Sequence, residues 1–162
     1  MVSSTHQKEF SKQLFLGHLC LTLGLWFIYG VISVVIYKEL MFTFNGLLMM
    51  VNSLIFSFTV TSLAYMISKF IKKQNVISGI QNVVSLGLSF ISGCFISAEL
   101  IDEKILNFSK IFPSYWFIQG NHDIARMSEF GISNMYGVFV KYGIILGFGL
   151  LYFIIAQLGS KR

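Results

Sequence analysis

Leu14–Tyr37 reads LFLGHLCLTLGLWFIYGVISVVIY, a run of 24 residues without a charge. A helix rises about 1.5 Å per residue, so a run of this length exceeds the ~30 Å of a bilayer's hydrocarbon core. Read as a helix, it satisfies every backbone N–H and C=O internally, which is what crossing lipid demands. The residues before it, 1–13, are polar. The apolar run is too long for the h-region of a signal peptide, and no small-residue cleavage motif ends it. It reads as a retained first span with a cytoplasmic N-terminus.

Outward from this run the pattern repeats. The uncharged stretch from about Leu40 to Ser68 predicts a second span, about Asn75 to Ala98 a third, and about Met135 to Leu158 a fourth. The fourth holds one charge, Lys141, near enough to one end for its stem to snorkel to the headgroups. Only Lys38 and Glu39 separate the first two runs, so those spans form a tight antiparallel hairpin. The expected fold is an all-α membrane protein of one domain, with four transmembrane helices. Composition agrees: 55% of the 162 residues are hydrophobic and 12% charged, against about 25% charged in soluble domains.

The formal net charge of +5 does not point to nucleic acid. A nucleic-acid binder gathers its basic residues into a stripe, whereas here they lie in short clusters between apolar runs. With four spans, Lys8 and Lys12, then Lys69, Lys72 and Lys73, then Lys161 and Arg162 all fall on one side. Glu39, Glu99, Asp102, Glu103, Asp123 and Glu129 fall on the other. By the positive-inside rule both termini are cytoplasmic, and a bacterial plasma membrane is the expected setting.

The third run is the most polar, with Gln81, Asn82, Ser85, Ser89, Ser92 and Gly93. Such residues favour close helix approach and interhelical hydrogen bonds, so this helix is expected to face protein or a cavity. After it comes a segment, about residues 99–131, that is neither a turn nor a polar loop. Glu99–Ile111 carries an amphipathic pattern, Pro113 breaks it, and Ser114 is a candidate cap for a new helical stretch. Tyr115, Trp116, Phe117 and Ile118 form an aromatic patch suited to an interface. Gly120 and Asn121 permit a turn before a short helix from Asp123 to Glu129. The whole reads as a re-entrant helical hairpin between the third and fourth spans, dipping into the outer leaflet and returning.

These residues carry a resemblance. ISGCFIS, then the acidic turn AELIDEK, then an amphipathic stretch closing on IFPSYW, then a last span, resembles the C-terminal part of a type 2 ABC export permease. Ser92, Gly93, Pro113, Tyr115 and Trp116 occupy the family's positions before and within its re-entrant hairpin, and with Glu99 they are candidate gate elements. The basic turn Lys69, Lys72 and Lys73 is the candidate ATPase-facing element. The resemblance implies a permease moving an unknown solute by alternating access. Its implied partners are a cytoplasmic ABC ATPase subunit, a second permease subunit and membrane lipid. The family's membrane unit normally has six helices, so these four are expected to be a truncated or split half, or a small relative. There is no GxxxxGK[ST] loop, so ATP hydrolysis falls to a separate subunit and the chain itself is not an enzyme.

No cofactor or metal is expected. Cys20 and Cys94 lie inside apolar runs, without a CxxC or Cys/His cluster. His122 and Asp123 are only two adjacent groups, and are expected in a solvated loop. His18, about a turn inside the first span, is expected to make an interfacial or interhelical hydrogen bond. No Asp or Glu falls within a span, which argues against a proton-coupled antiporter. The alternative function is a small non-transporting membrane protein, an immunity or regulatory subunit, that binds a partner in the bilayer.

Overall fold

The computed structural model describes residues 4–71, 73–95, 102–128 and 131–159, and their side chains apart from those of 4–12, 74 and 132–134. Among the described residues there are six α-helices and no strand. They are α1 (Ser4–Tyr37), α2 (Phe44–Phe70), α3 (Gln74–Ile91), α4 (Glu103–Ser109), α5 (Pro113–Arg126) and α6 (Ile132–Gly159), with a 3₁₀ turn over Lys38–Phe42 joining α1 to α2.

Three helical stretches among the described residues are long and apolar enough to cross a membrane: Gln13–Phe42, Phe44–Phe70 and Met135–Gly159. They correspond to the expected first, second and fourth spans. The expected third is α3, whose apolar part Asn75–Ile91 is shorter. Its 18 residues make about 27 Å. It stops at Ile91, short of the expected end at Ala98, because Gly93 turns to φ 87° directly after the Ser92 cap. Positions 96–98 lie outside the described residues.

The hairpin between α1 and α2 is as tight as expected. Lys38 takes a left-handed φ of 46°, and Thr43 caps α2 by accepting from the Gly46 N–H at 3.2 Å. A Cβ on Gly46 would stand 2.6 Å from the carbonyl oxygens of Leu40 and Met41, so the turn folds back only over a glycine. Facing α2, α1 places Trp26 Nε1 so that it donates to Ser53 Oγ at 2.9 Å. Nearer the other end the Thr22 and Thr61 hydroxyls meet at 2.9 Å.

The closest pairing joins α2 and α6, which run parallel. Gly149 makes it possible: a Cβ there would lie 2.9 Å from the Phe58 ring and from Thr59 Oγ1. Across this contact Thr59 Oγ1 donates to the Ile145 carbonyl at 2.9 Å, and the Tyr142 hydroxyl to that of Leu48 at 2.6 Å. Lipid offers little hydrophobic drive between helices, so small residues and such bonds hold them together. Two apolar clusters complete the bundle. Leu48, Ile124, Val138 and Tyr142 form one, and Phe15, Tyr65 and Ala156 the other.

Large apolar side chains on the remaining surface, such as Leu21, Phe27, Val35, Leu151 and Ile154, are more than half exposed. A soluble monomer does not carry so much contiguous apolar surface. Lipid is the solvent that suits it.

Candidate functional site

The element that departs from an up-and-down bundle is α5. It is one continuous helix of 14 residues from Pro113 to Arg126. The expected turn at Gly120 and Asn121, and a separate helix from Asp123 to Glu129, are therefore corrected. Gly120 serves close approach instead: a Cβ there would stand 3.1 Å from Asn52 Nδ2 on α2. The preceding amphipathic helix spans Glu103–Ser109 and ends before the expected Ile111, while positions 99–101 of the expected stretch lie outside the described residues. Asp102 caps it by accepting from the Lys104 N–H at 2.8 Å.

The packing of α5 rests on two asparagines of α2. Asn45 and Asn52 are seven residues apart, two helical turns on one face. Asn52 Nδ2 donates to the Phe117 carbonyl at 3.0 Å and to Asn121 Oδ1 at 2.9 Å. Asn45 Nδ2 donates to the Met127 carbonyl at 3.0 Å. The Phe117 ring stacks on Phe56, centroids 4.3 Å apart and planes 10° from parallel. So α5 runs antiparallel to α2, ending beside the start of α2 and beginning near its midpoint. Phe56 lies about 18 Å along α2 from Phe44. On the other flank Asp123 pairs with Lys141 of α6. This corrects one expectation: Asp123 lies within α5, not in a loop. His122, beside it, is exposed.

Ser114 does not cap α5. The helix begins at Pro113, its N-cap is Phe112, and no side chain caps it. The fixed φ of proline and its missing N–H suit that first position. Ser114, one residue in, is 7% exposed, and its hydroxyl has no hydrogen-bond partner. Pro113 and Ser114 border a cavity of about 480 Å³ between α2 and α3. Gln81, Asn82, Ser85 and Ser89 of α3 line it too, in keeping with the polarity of that helix. A larger groove, about 1050 Å³, opens on the other side of α2 between α1 and the C-terminal half of α5, lined by Trp26, Tyr29 and Met50 among others.

The candidate gate residues fall into two neighbouring groups. Ser92 is 1% exposed, and its hydroxyl returns to the Leu88 carbonyl at 2.5 Å. Gly93 provides the turn that ends α3. Leu88 and Ser89, a turn before them, face Pro113 and Ser114 across the cavity. Tyr115 and Trp116 meet edge to face at 5.3 Å, and Trp116 Nε1 donates to the Lys110 carbonyl at 2.9 Å. Glu99 lies outside the described residues, as does Lys72 of the basic turn. Of that turn, Lys69 Nζ sits 5.1 Å from the centre of the Tyr65 ring, and Lys73 is exposed just before α3.

His18 bonds within its own helix: Nδ1 lies 2.8 Å from the Leu14 carbonyl, not against a neighbour. The two cysteines are free thiols. No group of His, Cys, Asp and Glu that could hold a metal ion occurs among the described residues. Sequence reasoning missed the amide anchors and the Asp123–Lys141 pair. The spacing of Asn45 and Asn52 on one face was the available signal.

These features define a multi-pass helical membrane protein with a short helix laid along the first half of α2. The chain is matched over residues 10–158 by the family model described as ABC-2 family transporter protein. The chain belongs to that family of membrane transport components. No curated protein and no solved structure matches it.

Proposed function

We propose that this chain is the membrane-spanning subunit of an ATP-driven exporter, moving its solute by alternating access. Membership of the ABC-2 transporter family carries the reading. In it α3 is a fourth membrane helix, and α4 and α5 are the two arms of a re-entrant hairpin in the outer leaflet. The start of α5 near the α2 midpoint, fixed by Asn52 and Phe56, supports that geometry. Backbone that enters and leaves a membrane without crossing it must be covered by protein or line a cavity, and α5 does both.

With the basic clusters inside, the α2–α3 turn bearing Lys69 and Lys73 faces the cytoplasm. There a separate ATPase subunit binds and delivers motion to the helices, and a second permease subunit completes the path. Rocking of packed helices about such contacts is a known way to exchange inward and outward states. Gate elements in this reading are Ser92 and Gly93 at the outer end of α3, Pro113, Tyr115 and Trp116 at the start of α5, and, by sequence alone, Glu99.

The test is purification from native membranes in mild detergent, then reconstitution. An ABC ATPase copurifies, and solute moves across the vesicle only with hydrolysable nucleotide. Complexes that never contain an ATPase, with no nucleotide effect on any flux, refute the reading.

A further inference from the structure

The polar residues of α3 gather on one face. Gln81, Asn82, Ser85 and Ser89 follow the spacing that stacks side chains along one side of a helix, and all four border the cavity between α2 and α3. The opposite face carries Val83, Leu86 and Phe90, which are 72%, 56% and 51% exposed. A two-faced helix in a bilayer gives its apolar side to lipid and turns its polar side inward. Here the inward side looks across the cavity.

These polar groups are open and unspent. Asn82 and Ser85 are exposed, and Gln81 is half-buried. Among the described residues, no side-chain hydrogen bond engages Gln81, Asn82 or Ser85. Ser89 differs, since its hydroxyl donates back to the Ser85 carbonyl at 2.8 Å. Across the cavity α2 gives them no partner. Its Thr59 hydroxyl is spent on the Ile145 carbonyl at 2.9 Å, and Val60, Leu63 and Ala64 beside it are apolar. An amide left unanswered away from water is costly. Neither a carboxylate nor a cation borders the cavity among the described residues. The volume of about 480 Å³ falls in the range of small-molecule sites, roughly 300–1,000 Å³. The wall from Phe56 to Ile67 runs about 16 Å along α2, enough for a hydrocarbon tail.

We propose that the cavity between α2 and α3 is a binding site for a neutral amphiphile whose head carries hydroxyl groups. Each side-chain amide both donates and accepts, as a hydroxyl does, so Gln81, Asn82 and Ser85 hold the head. The tail lies against Val60, Leu63 and Ala64. A charged head is disfavoured, because the wall holds no counter-charge and an unpaired ion taken from water is costly. Calling this molecule the exported solute rests on the permease reading. Binding itself does not.

The experiment measures binding of radiolabelled 1-oleoylglycerol to the purified full chain in a polyoxyethylene detergent, by scintillation proximity. Saturable binding is expected. Asn82→Leu and Gln81→Leu each weaken it about tenfold and leave the melting temperature unchanged, since neither amide holds another described residue. Ser85→Ala, a change too small to disturb the helix, weakens it about threefold. Val83→Leu, on the lipid-facing side, leaves it unchanged. Methyl oleate, which keeps the tail and lacks the hydroxyls, does not compete. Glycerol competes only at far higher concentration, and oleate only weakly. Competition by dioleoylglycerol stronger than that of 1-oleoylglycerol supports the site and identifies a two-chain bilayer lipid as its source. Weaker competition supports the site and identifies a single-chain molecule. The proposal is overturned by no saturable binding, by unchanged affinity in Asn82→Leu or Gln81→Leu, or by methyl oleate or oleate competing as well as 1-oleoylglycerol. The assay uses no nucleotide, so failure to find an ATPase partner leaves its outcome standing, and failure to bind leaves the transport test standing.

Discussion

Asn52 on α2 holds the backbone of α5 by donating from Nδ2 to the Phe117 carbonyl at 3.0 Å, while the same nitrogen reaches Asn121 Oδ1 at 2.9 Å. The residue is fully buried. Its place on the sequence, in the middle of an apolar run, is explained by this one contact. Asn52→Leu deletes both bonds and sets a branched side chain against Gly120. A lost hydrogen bond to a buried group costs about 1–3 kcal/mol, though interhelical bonds in membranes average nearer 0.6 kcal/mol. Thermal unfolding in detergent is expected to show a loss of about 1–2 kcal/mol, within those limits. Asn52→Asp, which keeps the shape but loses the donor, is expected to be no milder.

The Lys141–Asp123 pair joins α6 to α5, with the two side chains 17% and 43% exposed. Removing one partner strands the other in a poorly hydrated place, and that costs more than the pair itself is worth. Asp123→Ala is therefore expected to destabilise the protein more than the double variant Asp123→Ala/Lys141→Met does. A double-mutant cycle on unfolding measures this. Losses in the two single variants that simply add up to the loss in the double variant would show that the pair carries no coupling.

Gly149 sits where α2 and α6 touch. Gly149→Val would thrust its side chain onto Phe58 and Thr59. Overpacking of this kind costs about 1–3 kcal/mol. Gly143 and Gly147, on the same helix, meet nothing within 4 Å of an added Cβ. Alanine at either is expected to be neutral or slightly stabilising. Melting temperatures of the three variants, compared side by side, check the contrast.

The hydrogen bond from Trp26 to Ser53 joins α1 to α2 beside the large groove. Trp26→Phe keeps most of the apolar contact and removes the donor. The expected loss is about 0.5–1 kcal/mol, the scale of one interhelical bond in a membrane. A larger loss would mean that the indole packs against more than α2.

Much of this architecture was legible in the residues. Charge-free runs marked the long helices because lipid tolerates little else, but the turn at Gly93 that ends α3 went unread. The family resemblance on residues 92–118 led to the family that the comparison shows. What lay beyond reach was anything set by contacts distant in sequence. Gly120 and Asn121 look like turn residues locally, yet the contact with Asn52 makes one a packing notch and the other a hydrogen-bond acceptor. Ser114 looks like a cap, yet Pro113 takes the first helical position and leaves the serine inside. Lys141 reads as a lone charge in its span until α5 brings Asp123 beside it. At Gly120, Asn121 and Lys141 a tertiary neighbour outweighs the local preference, and at Ser114 the adjacent proline does.

Depth of the α5 start is the quantity on which the re-entrant geometry stands, and Trp116 reports it directly. The sequence has two tryptophans, so Trp26→Phe leaves Trp116 as the single indole fluorophore. In vesicles made with lipids brominated either near the headgroup or near the methyl end of the acyl chain, quenching is expected to be stronger from the deep bromines. Strong quenching from the headgroup-proximal bromines, with little from the deep ones, would place α5 on the membrane surface and contradict the re-entrant geometry.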